Sequence, residues 1–263
     1  MSFNDRINRA SGGRVGILLM QAPGEVASGL SSVAEELARA GHAVRCLQPS
    51  ASHEEGKAAR WWDWYAEAEA ALADMRRDCE VVIAGGSSVG AALGLLLAAN
   101  HPKDVQGTAL FAPTLWLNGR LAPRAAMLVC LALGRRAAEA IGISPWLSQG
   151  ASIPAETLAE HRRLLEAARR ALKGISQPAL IVHSREDRCA GLDNAGYLQR
   201  NLRGLVDMVV LGGSHQSAGL DRQHDLVAEK ARAFVEAVSR RPRIVPVRPQ
   251  AAQPVALLKA HAA

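Results

Sequence analysis

The sequence lacks the patterns that mark disulfide-stabilised, metal-binding and nucleotide-binding proteins. Its 263 residues include only four cysteines, which lie far apart and outside any Cys-x-x-Cys or Cys/His ligand spacing: Cys46, Cys79, Cys130 and Cys189. Neither a disulfide framework nor a zinc site is therefore supported. No Gly-x-x-x-x-Gly-Lys-Ser/Thr or Gly-x-Gly-x-x-Gly motif follows a strand-like segment, so no phosphate-binding loop is predicted. We expect neither a metal nor a dissociable cofactor.

The sequence also shows no pattern typical of a signal peptide or of a transmembrane helix. The first six residues contain an acidic residue and no apolar core, which argues against a signal peptide. The longest apolar runs, near residues 91–99 and 125–133, are too short to span a bilayer. These features predict a reducing, cytoplasmic location.

The net charge of +6 is concentrated at the C-terminal end. Residues 240–263 carry five basic side chains and no acidic one, which leaves 26 basic and 25 acidic side chains in the remainder. The nearly neutral remainder gives no indication of nucleic-acid binding. The Pro- and Ala-rich segment 240–263 is typical of a disordered tail. Contact of this tail with a membrane surface is an alternative that the sequence leaves open.

Apolar, strand-like runs alternate with helical patterns over most of the chain, whose hydrophobic content of 49% is sufficient for a sizeable core. We predict an α/β domain over residues 14–239 with a mostly parallel, doubly wound sheet, preceded by an extension over 1–13. Residues 114–177 interrupt the alternation and are predicted to be a predominantly helical cap insertion. The six predicted strands are Val15–Met20, His42–Leu47, Glu80–Ala84, Val105–Phe111, Pro178–His183 and Val206–Leu211.

One sequence motif indicates a catalytic serine. The third strand leads into Gly86-Ser87-Ser88-Val89-Gly90, a Gly-x-Ser-x-Gly sequence followed by a helical segment. Only Ser88 has glycine two residues away on both sides, as that motif requires. A serine on such a strand-to-helix turn presents its hydroxyl at the head of a helix, where a developing negative charge is favoured. Ser88 is therefore the candidate nucleophile, and the flanking positions are expected to be small because the chain passes itself closely there.

A serine hydroxyl needs a histidine to accept its proton and an acid to orient that histidine. In open α/β sheets such groups lie on loops just past the carboxyl ends of strands. Asp187 and His215 follow the last two predicted strands, in the chain order that serine hydrolases of this fold use. The rival acid is Glu186, and the rival histidines are His183 and His224.

Four stretches carry a family resemblance: Trp62-Asp63-Trp64-Tyr65, Ala84 to Gly90, Pro178 to Asp187, and the Ser214-His215 loop. From Arg14 to Val238 the chain resembles the α/β-hydrolase superfamily, in particular small bacterial carboxylesterases and monoacylglycerol-lipase-like serine hydrolases. The resemblance implies that Ser88 is the nucleophile, Asp187 the orienting acid and His215 the general base. It also implies that the cap shapes an acyl pocket for a small-molecule ester.

The oxyanion-binding loop departs from that family. Its members carry His-Gly-Phe or His-Gly-Trp after the first strand, and the N–H of the third residue is one of two oxyanion donors. Here the loop reads Gln21-Ala22-Pro23-Gly24, and proline has no N–H to donate. The N–H of Val89 remains as the other donor, and Gln21 or the Gly24 N–H can substitute for the missing one. The alternative to a hydrolase is a weakened, binding-only relative or an acyltransferase.

Two further clusters have simpler interpretations. The aromatic cluster Trp61, Trp62, Trp64 and Tyr65 is expected to pack a helix start against the sheet rather than to stack on a cofactor or base. The pairs Arg162-Arg163 and Arg169-Arg170, interspersed with Glu160 and Glu166, favour a solvated helix face.

Overall fold

Strands and helices alternate along the chain as the apolar runs predict. The computed structural model describes residues 15–21, 30–52, 59–116, 155–187, 190–212 and 223–241. The strands are β1 (Val15–Met20), β2 (Ala43–Leu47), β3 (Val81–Ser87), β4 (Gly107–Phe111), β5 (Ala179–Ser184) and β6 (Val206–Leu211). The helices are α1 (Leu30–Arg39), α2 (Trp61–Asp78), α3 (Gly90–Asn100), α4 (Ala155–Ala171), α5 (Asp193–Asn201) and α6 (His224–Ser239).

All six strands pair in parallel in the order β2-β1-β3-β4-β5-β6. The chain moves outward from β1 to β2 and then returns across β1 to β3. The direction of winding therefore reverses between β1 and β3. In open α/β sheets, ligands bind beyond the carboxyl ends of the strands at such a reversal. Ser88 directly follows β3, so the candidate nucleophile lies at this position.

Helices cover both faces of the sheet, which explains why the strands are continuous apolar runs. On one face, α2, α3, α4 and α5 pack on alternate strand residues such as Leu18, Met20 and Ile181. On the other face, α1 and α6 pack on Ile17, Leu19 and their counterparts. The described residues thus form the predicted doubly wound α/β sheet.

Helix α4 belongs to the layer that covers the sheet. Its residues Leu164, Leu165 and Ala168 are buried in the same core as α2 and α3. This helix falls within 114–177, the range that the sequence assigns to the cap. The helix lies between β4 and β5 in the chain, and its apolar stripe packs on the sheet as that of a crossover helix does. Residues 117–154 of the predicted cap lie outside the described residues, and the domain boundaries stay a prediction.

The aromatic residues at the start of α2 pack in the core, as predicted from the sequence. Trp61, Trp64 and Tyr65 are buried in the core of the α2 face, and the Trp64 indole N–H donates to the Ser50 carbonyl at 2.8 Å. Burial also raises the pKa of the Cys79 thiol, which makes this cysteine a packing residue rather than a nucleophile. Among the described helices, none combines the length and the apolar character needed to cross a membrane.

Candidate active site

Ser88 occupies a strained turn between β3 and α3. Its φ is +51°, a left-handed conformation that non-glycine residues adopt infrequently and that clusters at functional sites. The turn is held on both sides of the residue: the Ser88 N–H donates to the Phe111 carbonyl, and the Ser88 carbonyl accepts from the Thr114 N–H, each at 3.1 Å. Strand β3 runs through Ser87, beyond the end predicted at Ala84, so the turn begins at Ser88 itself.

The two glycines of the motif are required by a close approach to β1. A Cβ atom on Gly86 would lie 2.1 Å from the Met20 carbonyl oxygen, and a Cβ atom on Gly90 would lie 2.4 Å from the same oxygen. Real Cβ atoms essentially never approach backbone so closely. The expectation that both flanking positions must be small is therefore confirmed, and the frame of the motif centres on Ser88.

The residue after Ser88, which the sequence offers as an oxyanion donor, lies at the N-terminus of α3. Val89 is the N-cap of α3, and no acceptor within the described part of the chain receives its N–H. The nine residues from Gly90 to Ala98 are all buried, so the helix is enclosed by protein from its first residue. Partial positive charge at that terminus stabilises a negative oxygen placed near Ser88.

The opposite wall of the site begins at the end of β1. Gln21 is buried, and its N–H donates to the Leu47 carbonyl at 2.9 Å. A Cβ atom on Gly90 would lie 2.8 Å from the Gln21 Cα, so this residue adjoins the head of α3. The other candidate oxyanion-loop residues, Ala22, Pro23 and Gly24, lie outside the described residues.

Asp187 is the more buried of the two candidate acids. Its side chain lies three residues beyond β5, and its Oδ1 accepts the Ala190 N–H at 2.9 Å. Glu186 is partly exposed, and its Oε2 accepts from the Ser184 hydroxyl at 3.4 Å. The ends of β3 and β5 are separated by one strand, about 10 Å in a parallel sheet. A histidine between the two loops can span that separation.

The predicted base, His215, lies outside the described residues, four positions beyond the end of β6. Its two rivals have other roles in the fold. His183 is buried in β5, with Nδ1 2.9 Å from the Ser184 carbonyl oxygen, which assigns the Nδ1 proton to that bond. His224 begins α6, is half exposed and approaches Asp225 at 3.1 Å.

One side chain near the nucleophile was not predicted from the sequence. Thr114 is buried three residues beyond the end of β4, and its hydroxyl oxygen lies 3.5 Å from the Ser88 Oγ. The preceding Ala112 has a φ of +44°, so the chain turns sharply toward Ser88 at this point. The sequence analysis places Thr114 at the start of the predicted cap. An isolated threonine after a proline does not predict a contact with Ser88.

The described residues hold no group of three His, Cys, Asp or Glu side chains arranged to bind a metal ion. The chemistry that the arrangement supports is acyl transfer through a serine nucleophile, because it combines a strained serine, a helix N-terminus and a buried carboxylate at one edge of the sheet.

Comparison with known proteins agrees with this fold. The chain is 26% identical over 238 residues to a thermostable monoacylglycerol lipase from Bacillus sp. (strain H-257), covering 86% of this chain and 92% of that protein. Two solved structures share the fold. One is from the metagenome-derived lipolytic enzymes LipS and LipT, with a TM-score of 0.67, 22% identity and coverage of 86% of this chain and 95% of that one. The other is a monoacylglycerol lipase from Paleococcus ferrophilus, with a TM-score of 0.61, 15% identity and coverage of 85% and 93%.

The family profile described as "Serine aminopeptidase, S33" (Hydrolase_4) matches residues 16–152, more than half of the chain. This match spans the candidate nucleophile and the strands β1 to β4 that position it. The chain therefore belongs to the Hydrolase_4 family of the α/β-hydrolase superfamily.

Proposed function

We propose that this protein is a serine hydrolase that cleaves carboxylic esters or thioesters with an apolar acyl group. The observation that carries the proposal is the Ser88 turn, where a positive φ places a serine at the head of a buried helix between two glycines that abut β1. The triad would consist of Ser88 as nucleophile, His215 as general base and Asp187 as the acid that orients it. No cofactor enters the reaction.

The reaction proceeds in two acyl transfers. Ser88 Oγ attacks the ester carbonyl while His215 accepts its proton, and Asp187 stabilises the resulting imidazolium. The tetrahedral oxyanion is stabilised by the Val89 N–H and the N-terminus of α3. His215 then returns the proton to the leaving alcohol or thiol, leaving an acyl group on Ser88 that water releases by the same steps.

The relatives support esters as the substrate class. The relatives described above are named as a monoacylglycerol lipase and as lipolytic enzymes, and both names denote hydrolysis of acyl esters. The chain also shares its fold with Est1E from Butyrivibrio proteoclasticus, whose structure contains ferulic acid (TM-score 0.62, 13% identity). Transfer of the acyl group to an acceptor other than water uses the same side chains, and the balance of the two is a measurable property of the purified protein.

Acyl-chain preference tests this proposal. We expect kcat/KM to rise at least about tenfold from p-nitrophenyl acetate to p-nitrophenyl hexanoate, because each methylene buried in an apolar pocket contributes about 0.8 kcal/mol. Four added methylenes set a ceiling of about 3 kcal/mol if all are buried. The measurement is initial-rate hydrolysis across acetate, butyrate, hexanoate and decanoate esters. A flat or acetate-biased profile would contradict the apolar acyl pocket, and no turnover of any ester would contradict the hydrolase.

The oxyanion loop provides a gain-of-function test. Replacing Pro23 with Phe and Ala22 with Gly restores a backbone N–H at the third loop position, so the double variant is expected to raise kcat on p-nitrophenyl hexanoate. One oxyanion donor contributes about 100- to 1000-fold in a comparable site, which is the upper limit of the gain. The control is Ala22→Gly alone, which keeps Pro23. An unchanged rate in the double variant would mean that Gln21 or the Gly24 N–H already supplies the second donor.

A further inference from the structure

The three residues after Pro113 form a short strap, Thr114-Leu115-Trp116, that passes over the Ser88 turn. Its first residue contacts the nucleophile twice, through the Thr114 N–H to the Ser88 carbonyl at 3.1 Å and through the two hydroxyl oxygens at 3.5 Å. The conformation of the strap therefore bears directly on where the Ser88 Oγ lies.

A buried side-chain amide on α5 binds the backbone of the strap. Asn194 is 1% exposed, and its Oδ1 accepts the Leu115 N–H at 2.7 Å and the Trp116 N–H at 3.2 Å. The Leu115 N–H would otherwise be a buried donor without a helix or strand partner, which costs about 1–3 kcal/mol, whereas the Trp116 N–H is partly buried. The Asn194 side chain is thus the acceptor that satisfies the strap backbone.

The other end of the same amide reaches the loop that carries the candidate acid. Asn194 Nδ2 donates to the Gly191 carbonyl at 2.9 Å, and the Asn194 N–H donates to the same carbonyl at 3.0 Å. Between Gly191 and β5 lies Asp187, whose Oδ1 accepts the Ala190 N–H. Asn194 therefore connects the nucleophile turn and the acid loop through one rigid, planar group.

Two further contacts fix the outer part of the strap. Arg169 of α4 donates to the Leu115 carbonyl, and its guanidinium lies 5.5 Å from the centre of the Trp116 ring. Tyr197 of α5 packs edge-on against the same ring at 4.6 Å. These contacts come from helices that cover the sheet, so the strap is anchored to the rigid part of the domain.

From these contacts we infer that Asn194 is a positioning residue that sets the placement of Ser88 relative to Asp187 by bridging the strap and the acid loop. The inference rests on the proposed function, because it concerns the geometry of that triad. Misplacement of a reacting group by about 1 Å can cost about 100-fold in rate. Loss of the bridge should therefore lower the rate of the chemical step while substrate binding is retained.

The test compares Asn194→Ala with Asn201→Ala, a control at the other end of α5 whose amide donates to the Tyr197 carbonyl at 2.9 Å. The readouts are kcat and KM on p-nitrophenyl hexanoate, the rate constant of inactivation by a fluorophosphonate, and the thermal midpoint of each variant. Per folded molecule, Asn194→Ala is expected to lower kcat and the inactivation rate about 10- to 100-fold, with KM changed less than about threefold. Asn201→Ala should leave all three rate parameters within about twofold of wild type.

A second variant keeps the inference testable if Asn194→Ala does not fold. Asn194→Asp retains an oxygen acceptor for the two strap amides but removes the side-chain donor to the Gly191 carbonyl, which then keeps only the backbone N–H of residue 194, so the variant breaks one half of the side-chain bridge. We expect a kcat below wild type and above that of Asn194→Ala where the latter is soluble. A wild-type kcat in Asn194→Asp would overturn the inference. It would also be overturned if Asn201→Ala lost as much kcat as Asn194→Ala does for the same fall in thermal midpoint.

The same experiment separates this inference from the proposed function. A wild-type protein that neither reacts with the fluorophosphonate nor hydrolyses the ester would refute the hydrolase itself. A reactive wild type whose rates are unaffected by either Asn194 variant would refute only the positioning role.

Discussion

Ser88→Ala is expected to abolish both fluorophosphonate labelling and ester hydrolysis while leaving the fold intact. Removing the nucleophilic serine of a comparable triad lowers kcat by about 10⁶-fold, which places the variant at background. The fold should persist because alanine accepts the required backbone conformation in this chain: Ala112, at the end of the next strand, has a φ of +44° against +51° for Ser88. The Thr114 hydroxyl contact is lost, at a cost of about 1 kcal/mol or less.

The adjacent serine supplies the matched control. Ser87 ends β3 and is paired with Phe111 in the sheet, so its side chain belongs to a strand rather than to the turn. Ser87→Ala should keep labelling, and mass spectrometry of the wild-type adduct should place the modification on Ser88. Labelling that survives in Ser88→Ala or moves to the Ser87 position would refute the assignment of the nucleophile. Circular dichroism of both variants verifies that each comparison is between folded proteins.

The nucleophile turn was predictable because close packing leaves a mark in the sequence. Glycine at positions 86 and 90 is needed where the chain meets the Met20 carbonyl, and this need produces the motif itself. The same glycines misled the prediction of the strand end. Gly85-Gly86 has the composition of a loop, yet β3 continues through both residues. Glycine is needed at position 85 because a Cβ atom there would lie 1.8 Å from the Ala109 carbonyl oxygen of the neighbouring strand.

Helix α4 has an apolar periodicity that is visible in its sequence. Leu158, Leu164, Leu165 and Ala168 are all buried on one stripe, which is the pattern of a helix packed on a sheet. The prediction of a solvated face for this segment is wrong for two charged residues. Glu160 is buried and accepts the Trp61 N–H at 3.3 Å, and Arg169 reaches the Leu115 carbonyl and the Trp116 ring. Charged side chains that cap a neighbouring helix or strap look, in sequence, like ordinary surface charges.

Asn194 and Thr114 had no usable signal. The Asn194 side chain accepts from the backbone of Leu115, 79 residues earlier in the chain, and the Thr114 hydroxyl contacts the Ser88 hydroxyl, 26 residues earlier. Neither separation produces a local sequence pattern. A single polar residue near the start of a helix, or after a strand, is most simply explained by local capping. Only the three-dimensional approach of α5 to the end of β4 gives these two side chains a place in the site.

Gly90→Ala is expected to be strongly destabilising although it adds one methyl group to a helix. Alanine is ordinarily preferred over glycine in helices by about 1 kcal/mol, so the sign of the effect depends on the space available. Here the new Cβ would lie 2.4 Å from the Met20 carbonyl oxygen and 2.6 Å from the Gln21 carbonyl carbon. These are backbone atoms at the end of a central strand that is paired on both sides, so they cannot move alone.

Overpacking of this kind costs about 3 kcal/mol or more, or prevents accumulation of folded protein. The measurement is urea-induced unfolding of Gly90→Ala beside Gly174→Ala, in which the new Cβ meets nothing within 4 Å. The control should match or exceed wild-type stability, because alanine there only restricts the unfolded chain. Any folded Gly90→Ala should also hydrolyse esters more slowly, since relief of the clash displaces Gln21 from the head of α3. Equal unfolding midpoints for the two variants would show that β1 and α3 are farther apart than this geometry requires.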